Sequence, residues 1–277
     1  MPVVMISSFT SKHSEVTLQA LELGAVDYFC KPQGNVENIQ NYADTLIDMV
    51  RLASSANVNS TQMKKSKLDL DENGADFDYF TPGTLVAIGA STGGAKAIIE
   101  LLSALPENFP PIVITQHIGK NLAKQFAGRL DGLVSAQVQV PRNGQPLVRG
   151  NVYIAPDNGH MAVVQNPVND YICHIRRSAP VNGFRPSVEV LFDSVRKASG
   201  EKAIGILLTG MGVDGSQALL RMKEQGSHTI CLDRNTSIVW GMAGTAVKLG
   251  AADKILPINR IAPHLIKQVQ KFQLPNR

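Results

Sequence analysis

Short apolar runs alternate with amphipathic stretches along most of the chain. Beyond residue 83, five runs have the length and residue types of buried strands, at 85–88, 112–115, 151–154, 203–208 and 229–232. Continuous apolar strands separated by helical patterns are typical of parallel sheets that are covered on both faces. The pattern therefore predicts an α/β fold with a doubly wound, mostly parallel sheet. The helical period is lost between residues 152 and 176, which predicts an antiparallel excursion around Asn166-Pro167.

The first fifty residues form a separate β-α-β-α pattern. Apolar runs at 2–6 and 26–30 predict strands, and amphipathic stretches at 14–23 and 36–53 predict helices. Residues 54–83 are rich in Ser, Asn, Lys and Asp and lack apolar periodicity, which is the composition of a solvated linker. We therefore predict a small unit at 1–53, a linker at 54–83 and a larger domain at 84–277.

Composition narrows the classes of function. The net charge of +4 is spread along the 277 residues, apart from a short lysine cluster at 64–67, so nucleic-acid binding is disfavoured. Three cysteines, far apart and without Cys-x-x-Cys spacing, argue against a disulfide framework or a zinc cluster. No apolar run approaches the ~20 residues of a membrane span, and the N-terminus lacks the order of a secretory signal. These features predict a cytoplasmic protein with no metal, no cofactor and no membrane insertion.

The most informative motif is Gly89-Ala90-Ser91-Thr92-Gly93, which joins an apolar strand to a predicted helix at 95–102. This is the pattern of a nucleophile elbow, because small residues permit a tight turn that exposes the serine oxygen at a helix N-terminus. A phosphate-cradling loop and a plain serine N-cap fit the same pattern. Since the run contains neither Gly-x-Gly-x-x-Gly nor Gly-Lys-Ser/Thr, nucleotide binding is the weaker of these alternatives.

His117 and Asp214 each follow a predicted strand, as Ser91 does. The carboxyl ends of parallel strands share one edge, where α/β proteins bind their ligands. An imidazole with a near-neutral pKa can take the proton of a serine, and a buried carboxylate can orient the imidazole and stabilise its cation. The sequence therefore predicts a catalytic triad of Ser91, His117 and Asp214, in a chain order that differs from that of the α/β-hydrolases.

Each of these residues also has a structural alternative. A lone histidine at a strand end is more often structural, and an aspartate after Gly-x-Gly is commonly a turn residue or a helix N-cap. His160 is a competing base, less favoured because it lies in a predicted hairpin away from the parallel-strand edge. The run Gly210-Met211-Gly212 is either a glycine-rich turn or an oxyanion hole with the Met211 amide as donor.

These residues resemble the chemotaxis protein-glutamate methylesterases, response regulators in which a linker joins a receiver domain to a catalytic domain. The matching runs are IGASTGG at 88–94, TQH at 115–117, YIAP at 153–156 with His160-Met161, RPSV at 185–188, and LTGMG at 208–212 with Asp214-Gly215. The resemblance implies hydrolysis of glutamate methyl esters on the cytoplasmic helices of chemoreceptors, often with deamidation of receptor glutamines. It implies the triad Ser91, His117 and Asp214, and the Met211 amide as an oxyanion donor.

The chain departs from the family pattern at three places. Ile118-Gly119-Lys120 stands where a proline usually follows the histidine, Arg234 stands where an acidic residue is usual, and Gly241-Met242-Ala243 replaces Gly-Met-Pro. These differences concern substrate fit and loop conformation and leave the triad unchanged.

Residues 1–53 resemble the second half of a receiver domain. The resemblance puts Ser7 at the switch hydroxyl, Tyr28 at the aromatic switch position and Lys31-Pro32 at the phosphate-site lysine and its following proline. In a receiver the acidic cluster and the phosphoacceptor aspartate lie on strands that precede this half. We therefore expect no aspartyl phosphorylation of this chain. Whether a chemotaxis histidine kinase is a partner stays open. About fifty residues are too few for an independent core, so the unit either docks on the larger domain, stays mobile or reflects a misplaced start.

Three other functions fit parts of the pattern. One is a serine hydrolase with a small-molecule substrate. Another is a non-enzymatic binding module in which Ser91 only caps a helix, and the third is a nucleotide-binding α/β domain.

Overall fold

The chain begins with a small β-α-β-α unit. The computed structural model describes residues 1–7, 11–31, 37–58, 83–119, 122–168 and 170–273. Its first elements are β1 (Val4–Ser7), α1 (Ser11–Glu22), β2 (Asp27–Cys30) and α2 (Glu37–Ser55), and β1 and β2 pair in parallel. The four predicted elements of this unit are therefore present, with α2 extending two residues beyond its predicted end. Most of the predicted linker, and Pro32, lie outside the described residues.

The larger unit alternates strands and helices, as predicted. In chain order its elements are β3 (Leu85–Ala90), α3 (Gly94–Leu102), β4 (Ile112–Gln116), α4 (Ala123–Asp131), β5 (Gln137–Gln139), β6 (Asn151–Ile154), β7 (His160–Asn166), β8 (Asp170–Arg176), α5 (Val188–Ser199), β9 (Ala203–Leu207), α6 (Ser216–Glu224), β10 (His228–Leu232), α7 (Met242–Lys248), β11 (Lys254–Leu256) and α8 (Ile258–Gln273). None of the helices in the described part of the chain is long and apolar enough to cross a membrane.

Seven of these strands form one parallel sheet in the order β11-β10-β9-β3-β4-β6-β5. The chain adds strands on one side of β3 first and then continues from β9 on the other side. The boundary between β3 and β9 is thus the topological switch point, where ligands bind outside the carboxyl ends of the strands. The predicted fold class, a doubly wound α/β sheet, is confirmed.

Both faces of the sheet are covered because alternate residues of each central strand point in opposite directions. In β3, Val86 and Ile88 pack with α1, α3, α4 and α8, whereas Leu85 and Ala87 pack with α5, α6, α7 and the β7–β8 hairpin. All four side chains are fully buried, and each large aliphatic one contributes about 1.5–3 kcal/mol by leaving water. Burial on both faces explains why the sequence of β3 is continuously apolar rather than alternating.

The expected antiparallel excursion is the β7–β8 hairpin, whose paired ends are Asn166 and Asp170. Two short strands were not predicted. β5 contains Gln137 and Gln139, and β11 has three residues of which Lys254 and Ile255 are exposed. Both lie at the edges of the sheet, where one side is open to water and the apolar signal of a buried strand is absent.

Two histidines at the amino end of β10 and on α8 form a close pair. The Nε2 atoms of His228 and His264 lie 2.8 Å apart, and His228 Nδ1 lies 3.7 Å from Asp253 Oδ2. Burial lowers the pKa of His228 to about 4, with a further lowering by His264 and by nearby lysines that Asp253 opposes. Burial and the lysines also lower the pKa of His264. The pair therefore resists protonation in the folded state.

The buried histidine pair should make the stability of the folded chain sensitive to acid. The pKa of His228 falls from about 6.5 in the unfolded chain to about 4 in the folded one, so the unfolded chain binds the extra proton between these pH values. The stability of the wild type should therefore decline as pH falls from about 6.5 to about 4, by on the order of 1–3 kcal/mol from this group. Urea unfolding across that range should give a shallower decline for His228→Gln, and parallel curves for the two proteins would refute the assignment.

Candidate active site

Ser91 lies at the carboxyl end of β3, in a turn that leads directly into α3. Its amide donates to Thr209 O at 3.0 Å, and its carbonyl accepts from Gly94 N at 2.7 Å. Gly93 adopts a φ of 76°, which L side chains rarely adopt. A Cβ added to Gly94 would lie 2.1 Å from Gln116 Oε1. Gly93 is thus required by backbone conformation and Gly94 by close packing, as in a nucleophile elbow.

Strand pairing brings His117 to the same edge of the sheet as Ser91. Ala90 pairs with Gln116 across β3 and β4, and the His117 amide donates to Ala90 O at 3.0 Å. The buried side-chain amide of Gln116 donates to the carbonyl oxygens of both Ser91 and His117, at 2.9 and 3.0 Å. One side chain thus ties together the backbones of the two residues.

The side chain of Asp214, in the loop between β9 and α6, is completely buried against the N-terminus of α5. Its carboxylate accepts five hydrogen bonds. The donors, with distances to a carboxylate oxygen, are His117 Nε2 (2.9 Å), Asn182 Nδ2 (2.9 Å), Ser187 Oγ (2.8 Å), Val188 N (2.7 Å) and Glu189 N (3.3 Å). Backbone amides at a helix N-terminus favour an anion, both by hydrogen bonding and through the helix dipole. Asp214 is therefore held in the ionised form.

The pKa of Asp214 reflects the balance of these effects. Burial alone would raise it, but the hydrogen bonds from His117, Asn182 and Val188, together with the charge of a protonated His117, outweigh burial and lower it below the usual aspartate value. A carboxylate that stays ionised when fully buried can stabilise an imidazolium beside it.

The hydrogen bond to Asp214 determines which imidazole nitrogen of His117 is basic. Since Nε2 faces the carboxylate, Nε2 carries the proton and Nδ1 keeps its lone pair. Nδ1 is buried and has no hydrogen-bond partner within the described residues. In the usual serine-protease triad the carboxylate holds Nδ1 instead, so the two nitrogens exchange roles here.

The ring of Phe184 lies flat on the imidazole of His117. The ring centroids are 3.7 Å apart and the planes differ by 8°. Phe184 is held in the loop before α5 by two backbone hydrogen bonds with Val181. The stack restricts ring rotation of His117 and places an aromatic face against the imidazolium that proton transfer would create.

His160, the competing base, is occupied elsewhere. Its side chain is completely buried, with Nε2 donating to Ala179 O at 3.0 Å and Nδ1 accepting from Ser187 N at 3.2 Å. Both nitrogens therefore have backbone partners, and His160 supports the start of α5. The geometry favours His117 over His160 as the base.

Two backbone amides near Ser91 have no acceptor within the described residues, which makes them candidate oxyanion donors. The amide of Met211 has no acceptor within the described residues, and Gly210 on its amino side is fixed by hydrogen bonds with Val239, Gly241 and Met242. The amide of Thr92, the residue after the serine, likewise has no acceptor among the described groups. The residue after the nucleophile is a common oxyanion donor, and Thr92 was not considered in the sequence analysis.

The N-terminal unit covers this site. Leu21, Ala25, Asp27 and Tyr28 line one pocket together with Ser91 and His117, and its volume is only about 10 Å³, roughly the room for a single water molecule. Of the arrangements considered for this unit, the structure has the docked one. As it stands, the pocket has no space for a substrate side chain.

Polar contacts hold the N-terminal unit in place. Thr92 Oγ1 donates to Asp27 Oδ2, Tyr28 Oη accepts from the Gly119 amide, and Arg129 forms a two-point ion pair with Glu22. Burial raises the pKa of Asp27, and the hydrogen bond from Thr92 partly opposes that rise. The contact thus depends on an acidic side chain bound to Thr92, the residue after Ser91.

Several residues of the site have no distinctive signal in the sequence. Ser187 belongs to the RPSV run but had no assigned role, and Asn182-Gly183 is only a turn signal. Phe184 and Gln116 were likewise not singled out as functional. Asn182 and Ser187 contact Asp214, and Phe184 contacts His117, across long stretches of chain. Gln116 precedes His117 but binds the Ser91 carbonyl, 25 residues away, so only the fold identifies these contacts.

Comparison with known proteins agrees with this geometry. The family model described as CheB methylesterase matches residues 86–265. A Saccharophagus degradans protein named protein-glutamate methylesterase/protein-glutamine glutaminase 2 is 46% identical over 273 residues, which cover 98% of this chain and 78% of the relative. A Hahella chejuensis protein named protein-glutamate methylesterase/protein-glutamine glutaminase 1 is 44% identical over 269 residues, covering 95% of this chain and 74% of the relative.

A solved structure agrees with the fold. The crystal structure of the Thermotoga maritima CheB methylesterase catalytic domain superimposes with a TM-score of 0.66 and 33% sequence identity, and the match covers 68% of this chain and all of that domain. The matched region of the family model includes Ser91, His117 and Asp214. On these grounds the chain belongs to the CheB methylesterase family.

Proposed function

We propose that this chain is a serine hydrolase that removes methyl groups from glutamate methyl esters on chemoreceptors during chemotaxis adaptation. The observation that carries the proposal is a buried, ionised Asp214 paired with His117 in the pocket that contains Ser91. The names of the relatives, protein-glutamate methylesterases, support the substrate class. Methylated cytoplasmic helices of chemoreceptors are thus the expected partners, and the expected location is the cytoplasm.

In the first half of the reaction, Ser91 Oγ attacks the ester carbonyl carbon while His117 Nδ1 takes the hydroxyl proton. The resulting oxyanion is stabilised by the amides of Met211 and Thr92, and Asp214 stabilises the imidazolium. The tetrahedral intermediate then expels methanol, which takes its proton from Nδ1. A glutamyl ester of Ser91 remains.

In the second half, a water molecule attacks the acyl-enzyme and passes a proton to His117 Nδ1. Collapse of the second tetrahedral intermediate returns that proton to Ser91 Oγ and releases a receptor glutamate. A glutamine side chain can follow the same course with ammonia as the leaving group. Deamidation therefore belongs to the proposal, and the glutaminase part of the relatives' names supports it.

The N-terminal unit must move for this reaction to occur, because the pocket it lines holds no more than a water molecule. We assign residues 1–53 to a receiver-like unit, in line with Ser7 and Tyr28 at switch positions and the parallel pairing of β1 with β2. Tyr28 contacts Gly119, two residues after His117. The unit is therefore well placed to control access to Ser91.

Substitution of the triad tests the reaction directly. Ser91→Ala should lower methanol release from methylated receptor by at least about a thousandfold, because the covalent step is lost. His117→Ala and Asp214→Ala should also be strongly impaired. Ser103→Ala, an exposed serine at the other end of α3, is the matched control and should retain wild-type activity. Wild-type protein that releases no methanol, while hydrolysing small esters, would instead indicate a small-molecule hydrolase.

Asn182 should act as a positioning residue through Asp214. Hydrogen bonds to charged groups contribute about 1.5–3 kcal/mol, so Asn182→Ala should lower kcat/KM for methanol release by roughly ten- to a hundredfold. The acid limb of the pH profile should move to higher pH, because the pKa of Asp214 rises when a donor is lost. Asn108→Ala, at an exposed position before β4, is the control. An unchanged pH profile in Asn182→Ala would argue against this role.

Weakening the contact of the N-terminal unit should activate the enzyme. The ion pair between Glu22 and Arg129 is partly exposed and is worth up to about 1 kcal/mol, so Glu22→Gln should raise the rate of methanol release by about two- to fivefold. The double variant Glu22→Gln/Arg129→Gln should do no more than either single one. Glu107→Gln, on an exposed turn, controls for lost negative charge. Equal rates in the wild type and Glu22→Gln would contradict gating by this contact.

A further inference from the structure

Residues 210–212, which contain the Met211 amide, are called the oxyanion turn. A second concave surface lies beside this turn, between the end of α2 and the loop after β10. Its volume is about 670 Å³, and its lining includes Arg234, Trp240, Gly241 and Lys248 on the catalytic side and Leu52 and Ser55 on the other. We call this surface the cationic cleft. It differs from the closed pocket around Ser91 in being open and large enough for side chains of another protein segment.

The charged side chains that line the cationic cleft are all positive. Arg234 and Lys248 are exposed, and no carboxylate is among the residues that line the cleft. Neither cation forms an ion pair within the described part of the chain. The guanidinium carbon of Arg234 lies 6.0 Å from the ring centroid of Trp240, a contact that restricts the side chain while leaving its N–H groups free to bind an anion.

The cationic cleft is continuous with the catalytic site through the backbone of residues 210–212. Gly241 N donates to Gly210 O at 3.1 Å, and a Cβ added to Gly241 would lie 3.2 Å from Met211 Cα. On the other side of the same turn, a Cβ added to Gly210 would lie 2.7 Å from Ser91 Cβ. One turn of backbone therefore separates the nucleophile from the floor of the cleft.

A substrate helix would present anions to this surface. Side chains three or four residues apart lie on one helix face, about 5–6 Å from each other. Demethylation itself converts a neutral ester into a carboxylate, so a helix with several modified glutamates displays more anions as the reaction proceeds. When one ester is at Ser91, a neighbouring glutamate one or two helical turns away can lie over the adjoining cleft.

We propose that Arg234 and Lys248 form a carboxylate-binding subsite that selects esters with free glutamates nearby on the same helix. This inference rests on the proposed methylesterase function and adds a specificity determinant to it. The subsite makes hydrolysis of a second ester faster after a first has been hydrolysed.

Two synthetic helical peptides would test the subsite with the full chain. Each carries one glutamate γ-methyl ester; the residues three, four and seven positions away on both sides are glutamates in one peptide and glutamines in the other. The measurement is kcat/KM for methanol release. The wild type should prefer the glutamate peptide by about five- to tenfold, as expected for two exposed ion pairs, and about 0.5 M salt should reduce the preference.

The variant Arg234→Gln/Lys248→Gln should reduce the preference to less than twofold while hydrolysing the glutamine peptide at the wild-type rate. Lys271→Gln, which removes an exposed cation from the last turn of α8, should keep the full preference. If the double variant also kept it, or if the wild type treated both peptides alike, the subsite would be ruled out while the methylesterase function stood. Absence of methanol from both peptides would overturn the proposed function and the subsite with it.

Discussion

The parallel register of β3 with β4 and β9 is the constraint on which the rest of the site depends. Because β4 and β9 pair with β3 on its two sides, all three strands end at one edge of the sheet. Ser91, His117 and the turn containing Met211 follow those ends directly. A slip of one residue in either pairing would reverse the faces of a strand and separate these groups, so strand pairing sets the geometry of the candidate site.

The charge of Asp214 links this edge to the opposite layer of the fold. A fully buried carboxylate is costly unless several donors surround it, and here they come from the residue after β4, from the loop before α5 and from the first turn of α5. The β7–β8 hairpin contributes His160, whose Nδ1 holds the Ser187 amide. Elements that have no part in the chemistry are thus needed to keep Asp214 ionised and His117 oriented.

The site has two adjoining surfaces, one closed and one open. The pocket around Ser91 is closed by the N-terminal unit, whereas the cationic cleft beside the oxyanion turn is open. Since α2 forms one wall of the cleft and α1 and β2 cover the pocket, movement of the N-terminal unit would change both surfaces together. Access to Ser91 and the shape of the cationic cleft are therefore coupled through the same small unit.

The central strands and the glycine-rich elbow could be predicted because their signals are local. Continuous apolar runs such as 85–88 reflect burial on both faces, and the spacing of Gly89, Ser91 and Gly93 reflects a tight turn. The edge strands β5 and β11 could not be predicted, since a strand with one solvated side has no continuous apolar run. The helix ends were displaced by up to three residues because packing, rather than periodicity, sets where a helix stops.

The sequence by itself determined the layered α/β architecture, the order of its central strands and helices, and the chemical types available at Ser91, His117 and Asp214. Only the tertiary structure decided that Nε2 of His117 faces Asp214, that Asn182 and Ser187 neutralise the burial cost of that carboxylate, and that His160 is occupied by backbone groups. The physical reason is that backbone periodicity and turn chemistry act over a few residues, whereas hydrogen bonds to a buried charge join groups up to 97 positions apart and depend on the completed packing.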